Sequence, residues 1–170
     1  MPSSGSFYQD VLEALSRAKV RFVIVGGVAV NLQGVPRFTA DLDVAVALDA
    51  ENLRIVAMAM DELGLVARLP GSLDLLADPD TVRSWIDERN LKAYTFQDSN
   101  NPLRQVDLLL DMPLTLEELE HDADVITAGG VVARVASIES LIRMKSGTGR
   151  AQDASDVEAL RRIQELEDGP

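Results

Sequence analysis

Apolar residues along the chain switch repeatedly between spacings of about 3.6 and 2, which predicts helices alternating with strands. Val11, Leu12, Leu15 and Ala18 share one face of a helix over Phe7–Ala18, after a Ser-rich start. Arg21–Val25 is a short β-branched strand that ends at Gly26-Gly27; Val28–Leu32 reads as a short helix, closed by Gly34-Val35-Pro36. Thr39–Leu48 is the second strand. Glu51–Leu63 carries Leu53, Val56, Ala57, Met60 and Leu63 on a helical stripe, with Gly64 as its stop. Leu65–Leu69 predicts an irregular or edge strand ending at Pro70-Gly71. Asp78-Pro79-Asp80 opens a helix over Thr81–Glu88, in which Trp85 reads as a packing anchor rather than a base-stacking residue.

Leu91–Phe96 and Leu103–Leu110 alternate as strands on either side of the turn Ser99-Asn100-Asn101-Pro102. Thr115–His121 is an acidic helix with Thr115 and Glu118 at capping-box spacing. Val125–Thr127 and Val131–Val135 flank Gly129-Gly130 as a hairpin. Helices follow from Ser137 through Lys145 and over Asp153–Leu166, separated by Ser146-Gly147-Thr148-Gly149-Arg150; Val157, Leu160, Ile163 and Leu166 form the inward stripe of the last. Such interleaving predicts an α/β or α+β fold with a helical C-terminal section. The length of 170 residues suits one domain, with a core over 1–136 and a helical section over 137–170 packed on it.

Composition narrows the chemistry. Cysteine is absent, which excludes disulfides and thiolate metal sites and fits a reducing compartment. Aromatic residues make up only 4% of the chain, so the core must be built from Leu, Val, Ala and Ile. No apolar run is long enough to span a membrane and the first ten residues lack a targeting pattern, so a soluble, cytoplasmic protein without a membrane partner is expected. A net charge of −12 argues against general DNA or RNA backbone binding. It permits a basic protein partner, or a small anionic substrate held by a local cluster and a divalent cation.

One stretch concentrates the candidate chemistry. Asp41 and Asp43 alternate with Leu42 and Val44, so on a strand both carboxylates share a face while the apolar residues enter the core. Asp107 sits inside Val106–Leu110, where an aspartate is costly unless paired, hydrogen-bonded or metal-bound. Each could be a surface or capping residue by itself; together they offer the oxygen ligands that Mg²⁺ or Mn²⁺ prefers. With a single histidine and no cysteine, zinc is poorly supported, and His121 is given no catalytic role. Gly26-Gly27, between a strand and a helix, permits close backbone approach to phosphate, although the spacing is neither a Rossmann fingerprint nor a P-loop.

Val25-Gly26-Gly27-Val28-Ala29-Val30, followed by Arg37-Phe38-Thr39-Ala40-Asp41-Leu42-Asp43-Val44, resembles the signature of the DNA polymerase beta-like nucleotidyltransferase superfamily, in particular its small bacterial abortive-infection and toxin–antitoxin branch. The resemblance is firm over about residues 20–48 and extends weakly to Leu141–Lys145, Arg150, Asp153 and Asp156. It implies an α+β nucleotidyltransferase fold, a mixed twisted sheet flanked by helices. It also implies transfer of a nucleoside monophosphate from an NTP donor to a hydroxyl acceptor, which is a small molecule, a protein or a tRNA. Under it Asp41, Asp43 and Asp107 bind metal, Gly26 and Gly27 seat the nucleotide, and Lys145, with Arg37 and Arg150 assisting, faces phosphate charge. Lys145 and Arg150 equally suit a plain role as helix-end cations, and Asp153 and Asp156 read as capping, solubilising residues, with Asp153 a partner for Lys145 or Arg150.

Two positions depart from the pattern: Gly27 stands where a serine is frequent, and Gln33-Gly34 where His-Gly is frequent. Neither removes a metal ligand. A catalytically silent protein that acts through protein contacts, as one half of a toxin–antitoxin pair, is the competing reading, and a plain nucleotide-binding module is a third. Acceptor specificity is expected from Pro70–Pro102 and the C-terminal helices.

Overall fold

A computed structural model describes residues 6–69 and 71–169. The Ser-rich start through residue 5 and the Pro70 stop signal lie outside the described residues. Helix α1 (Phe7–Arg17) is capped by Ser6 and buries Val11, Leu12, Ala14 and Leu15. Strand β1 (Phe22–Val25) is buried throughout and runs straight into α2 (Gly26–Leu32). That helix therefore begins at the glycines, two residues before the expected Val28. Strand β2 (Asp41–Val46) starts two residues later than expected, because Arg37–Ala40 is occupied in a loop. Helix α3 (Ala50–Glu62), capped by Asp49, turns Asn52, Leu53, Val56, Ala59 and Met60 inward.

Strand β3 (Leu65–Ala67) is short, and a 3₁₀ segment at Leu73–Ala77, unforeseen from the pattern, leads into α4 (Pro79–Arg89). Asp78 caps α4 with proline at its first position, and Trp85 is its buried residue. Strands β4 (Ala93–Asp98) and β5 (Gln105–Leu109) form the next hairpin. Helix α5 (Leu116–His121) has the Thr115–Glu118 capping box. Strands β6 (Asp124–Ala128) and β7 (Val131–Val135) follow, then α6 (Ile138–Lys145), capped by Ser137, and α7 (Ala151–Glu167).

The seven strands among the described residues join one mixed sheet in the order β3-β4-β5-β2-β1-β7-β6. Pairing is antiparallel except for β2 with β5 and β1 with β7. This is the α+β architecture the resemblance implies, a mixed twisted sheet flanked by helices with helices at the C-terminus. One face of the central strands supplies much of the core, with Ile24, Leu42, Val44 and Val106 fully buried, and β1 is also buried on the other face through Val23 and Val25. Among the described residues no helix is long and apolar enough to cross a membrane.

The inward stripe of α7 differs from expectation. Leu166 is largely exposed, Val157 is half-buried, and the buried positions are Asp153, Asp156 and Leu160. The helix therefore meets the core through two carboxylates at helical spacing, which a search for apolar periodicity passes over.

Asn52 fastens the sheet to α3. Its side chain accepts from the Arg21 N–H at 2.8 Å and donates to the carbonyls of Arg21 and Ala47 at 3.1 and 2.8 Å. Because Asn52 is buried, its removal takes the side-chain partner from the Arg21 N–H and the Ala47 carbonyl beside the ends of β1 and β2, while the Arg21 carbonyl keeps the Ala47 N–H. Asn52→Ala is expected to lower stability by about 2–4 kcal/mol in urea unfolding, well beyond the effect of an exposed helix substitution.

Candidate active site

Strand register assembles the carboxylates. β2 and β5 run parallel with Asp43 opposite Asp107 and Asp41 opposite Gln105, while Leu42, Val44, Val106 and Leu108 enter the core. β1 pairs with β2 so that Val25 lies opposite Asp43, and this register brings the start of α2 against that carboxylate. Gly26 has φ +64°, and a Cβ there would lie 2.0 Å from Oδ2 of Asp43. Both the backbone conformation and the contact therefore require glycine. A Cβ on Gly27 would meet Thr39 Oγ1 at 2.5 Å. The loop that presses on Gly27 is itself anchored: Tyr8 donates its hydroxyl to the Thr39 carbonyl at 2.6 Å, and the Arg37 N–H donates to Asn31 Oδ1 at 3.0 Å.

The carboxylates repel one another in a partly desolvated setting. Burial, then Asp107 and Asp41, push Asp43 from its ordinary 3.8 to about 7, against the pull of Lys145; a hydrogen bond with Asp107 adds to the rise. Burial and Asp107 also raise Asp41, with Arg68 opposing. Burial, with Asp41 and Asp43, raises Tyr8. Thr95 donates its hydroxyl to Asp107 Oδ1 at 2.5 Å and so fixes that side chain from β4.

Facing the carboxylates is a cationic wall organised by α7. The Lys145 ammonium lies 3.2 Å from Asp153 and 3.0 Å from Asp156, and Arg37 Nη1 donates to Asp156 at 2.7 Å. Arg150 Nε and the Thr148 hydroxyl donate to Asp153 at 2.8 and 2.7 Å, and Gln152 donates to Asp156 at 3.0 Å. Asp153 and Asp156 are thus buried counter-charges, not solubilising residues. Burial acts to raise Asp153, but Thr148, Lys145 and Arg150 outweigh it and hold the group below the usual carboxylate range. The Asp153-x-x-Asp156 spacing in line with Leu160 was the signal for this in the sequence.

The residues that the resemblance gives to metal and nucleotide, Gly26, Gly27, Arg37, Asp41, Asp43, Asp107, Lys145 and Arg150, each line one of two adjoining cavities. One, of about 750 Å³, takes Gly26, Asp41, Asp43, Asp107, Lys145 and Arg150 in its lining. The other, of about 220 Å³, adds Gly27 and Arg37 and shares Asp41, Asp43, Lys145 and Arg150. His121 lies elsewhere, at the end of α5. Among the described residues no three or more His, Cys, Asp or Glu are drawn together as a metal-ligating cluster. Asp41, Asp43 and Asp107 nonetheless fit a hard divalent cation in two respects. Their donor atoms are all carboxylate oxygens, and Lys145, the cation that opposes their charge at Asp43, is already engaged by Asp153 and Asp156.

The mixed sheet, its flanking helices and the C-terminal helices match a nucleotidyltransferase-like α+β fold. Among solved structures the chain is similar to the lincosamide antibiotic adenylyltransferase LnuA in its lincomycin-bound form, with TM-score 0.64, 14% identity, and 94% of this chain and 98% of that one covered. It is also similar to ANT(2'')-Ia in complex with adenylyl-2''-tobramycin, with TM-score 0.58, 13% identity, and 96% and 88% covered. An antigenic nucleotidyltransferase-like protein from Paracoccidioides brasiliensis gives TM-score 0.54, 16% identity, and 96% and 77% covered. At these identities the likeness carries the fold, and it does not single out the abortive-infection or toxin–antitoxin branch. No family profile and no curated protein matches the sequence.

Between the ordinary value of 3.8 and about 7, folded Asp43 holds a proton that the unfolded chain has released. The unfolded state then binds fewer protons, so stability falls as pH rises through this window. With divalent cations chelated, Tm is expected to drop from about pH 4 to about pH 7, and Asp43→Asn to flatten the profile and unfold later than wild type at the upper end. Asp156→Asn is expected to cost about 3–5 kcal/mol in urea unfolding, because it strips a buried counter-charge from both Lys145 and Arg37.

Proposed function

We propose that the chain is a metal-dependent nucleotidyltransferase that moves a nucleoside monophosphate from an NTP to a hydroxyl. The observation that carries this reading is the pairing of Asp43 with Asp107 across parallel strands, with Gly26 set against Asp43. Asp41, Asp43 and Asp107 would hold Mg²⁺ or Mn²⁺, which when bound would neutralise their repulsion and stabilise charge on the triphosphate.

The chain's own groups divide the remaining work. Gly26 and Gly27, without side chains, let the triphosphate approach the backbone at the start of α2. Lys145, Arg37 and Arg150 line the same end of the cleft and face phosphate charge. Asp153 and Asp156 hold these cations in place, so little ordering of long side chains remains when nucleotide binds. Asp107, braced by Thr95, orients the acceptor hydroxyl and takes its proton. As that oxygen bonds to the α-phosphorus, the bond from this phosphorus to the bridging oxygen breaks and pyrophosphate leaves.

The finer assignment to the small bacterial abortive-infection and toxin–antitoxin branch rests on residues 25–44 and 141–156 of the sequence. A silent, protein-binding role for the acidic surface competes with transfer, and no feature of the cleft favours it. Incubation with labelled NTPs, Mg²⁺ or Mn²⁺ and pooled hydroxyl compounds is expected to move label to an acceptor. Asp43→Ala should reduce that transfer on the order of 10³-fold with an unchanged circular dichroism spectrum. Wild-type activity in the variant would sink the assignment.

A further inference from the structure

The larger cavity extends well beyond the groups that face a nucleotide. From Asp107 it continues along the sheet past Leu109, under Met144 of α6, to Met112 and Pro113, with Lys92 and Asp111 at its rim. Leu109, Met112 and Met144 are half-buried, so each keeps apolar surface turned to the cleft, and Leu141 behind them is fully buried. Of the phosphate-facing cations, Arg37 lines only the smaller adjoining cavity, with Gly27 and Thr39, while Lys145 and Arg150 line both. On β5 Asp107 lies between Gln105, which is level with Asp41, and Leu109, so the apolar residues follow on the side of Asp107 away from Asp41.

We infer that this far end is the acceptor subsite, and that it takes a compact hydroxyl compound with a hydrocarbon face and no net negative charge. This deepens the transfer reading and rests on it for the word acceptor. Three observations select the class. Two methionines and a leucine offer adaptable apolar contact but little hydrogen bonding. The rim carries one charge of each sign, Lys92 and Asp111, so it holds no cationic cradle for a phosphodiester. The whole chain carries −12, which disfavours the phosphate backbone of an RNA end. The subsite overlaps the region expected to set specificity only at Lys92, Ala93 and α6; Leu109 and Asp111–Pro113 fall outside it.

The chain has five methionines, so ¹³C-methyl methionine labelling gives a sparse spectrum in which Met112 and Met144 are assigned by substitution. The probes are n-hexyl β-D-glucopyranoside, methyl β-D-glucopyranoside and a short RNA with a free 3′ hydroxyl. Hexyl glucoside is expected to shift both methyls saturably, with methyl glucoside and RNA at least about tenfold weaker. Met112→Gln, which keeps side-chain length, should weaken hexyl glucoside severalfold as read at Met144. No shift with hexyl glucoside, equal shifts with methyl glucoside or RNA, or unaltered affinity in the variant would overturn the subsite. Calorimetry of MgATP with the wild type runs beside it: failure there removes the transfer reading and leaves the methyl result to judge the apolar subsite by itself.

Discussion

Two aspartates face each other across a parallel strand pair, and much of the surrounding structure answers that one electrostatic constraint. Asp43 and Asp107 cannot move apart, because the alternate residues of the same strands, Leu42, Val44, Val106 and Leu108, are locked into the core. The sheet fixes like charges side by side just as firmly as it packs its apolar face. What relief the chain provides is local: a threonine hydroxyl on β4, a lysine at the end of α6, and a proton retained by Asp43 to about pH 7.

The lysine is not freely available. Asp153 and Asp156 bind it from α7, and Asp156 binds Arg37 as well, so the cationic wall is itself an ion-pair network with little exposure at its acidic members. Such networks are costly to desolvate and costly to break. Their use here is positional: two cations from residues more than a hundred positions apart are held by one helix turn on the side of the cleft opposite the carboxylates.

Much of the site was legible from local pattern. The alternation through Asp41–Val44 assigned the two carboxylates to one face, and the apolar setting of Asp107 marked it as costly; both inferences need only strand periodicity. The glycine pair was legible as a site of close approach, though not that it opens α2, since glycine is a poor helix former and Gly26 there adopts positive φ. The pairing of Asp153 with Lys145 or Arg150 was legible from their closeness in sequence, but the burial of Asp153 and Asp156 was not: polar residues on a helix are by default solvated, and only tertiary structure brings Arg37 to Asp156. Asn52 was missed for the same reason, a polar side chain buried by the backbone groups it satisfies. The 3₁₀ segment at Leu73–Ala77 has no period of its own long enough to read.

The parallel pairing of β2 with β5 also dictates when the site comes into being. β1 and β2 pair as neighbours in sequence, and so do β4 and β5, so each pair can form from local chain. Neither contains both Asp43 and Asp107. The two carboxylates meet only when a strand some sixty residues downstream docks beside β2, and long-range parallel pairings of this kind are among the slow events of folding. The carboxylate pair is therefore a property of the completed sheet: a partly opened chain that releases β5 loses it at once, and no fragment containing a single hairpin carries it.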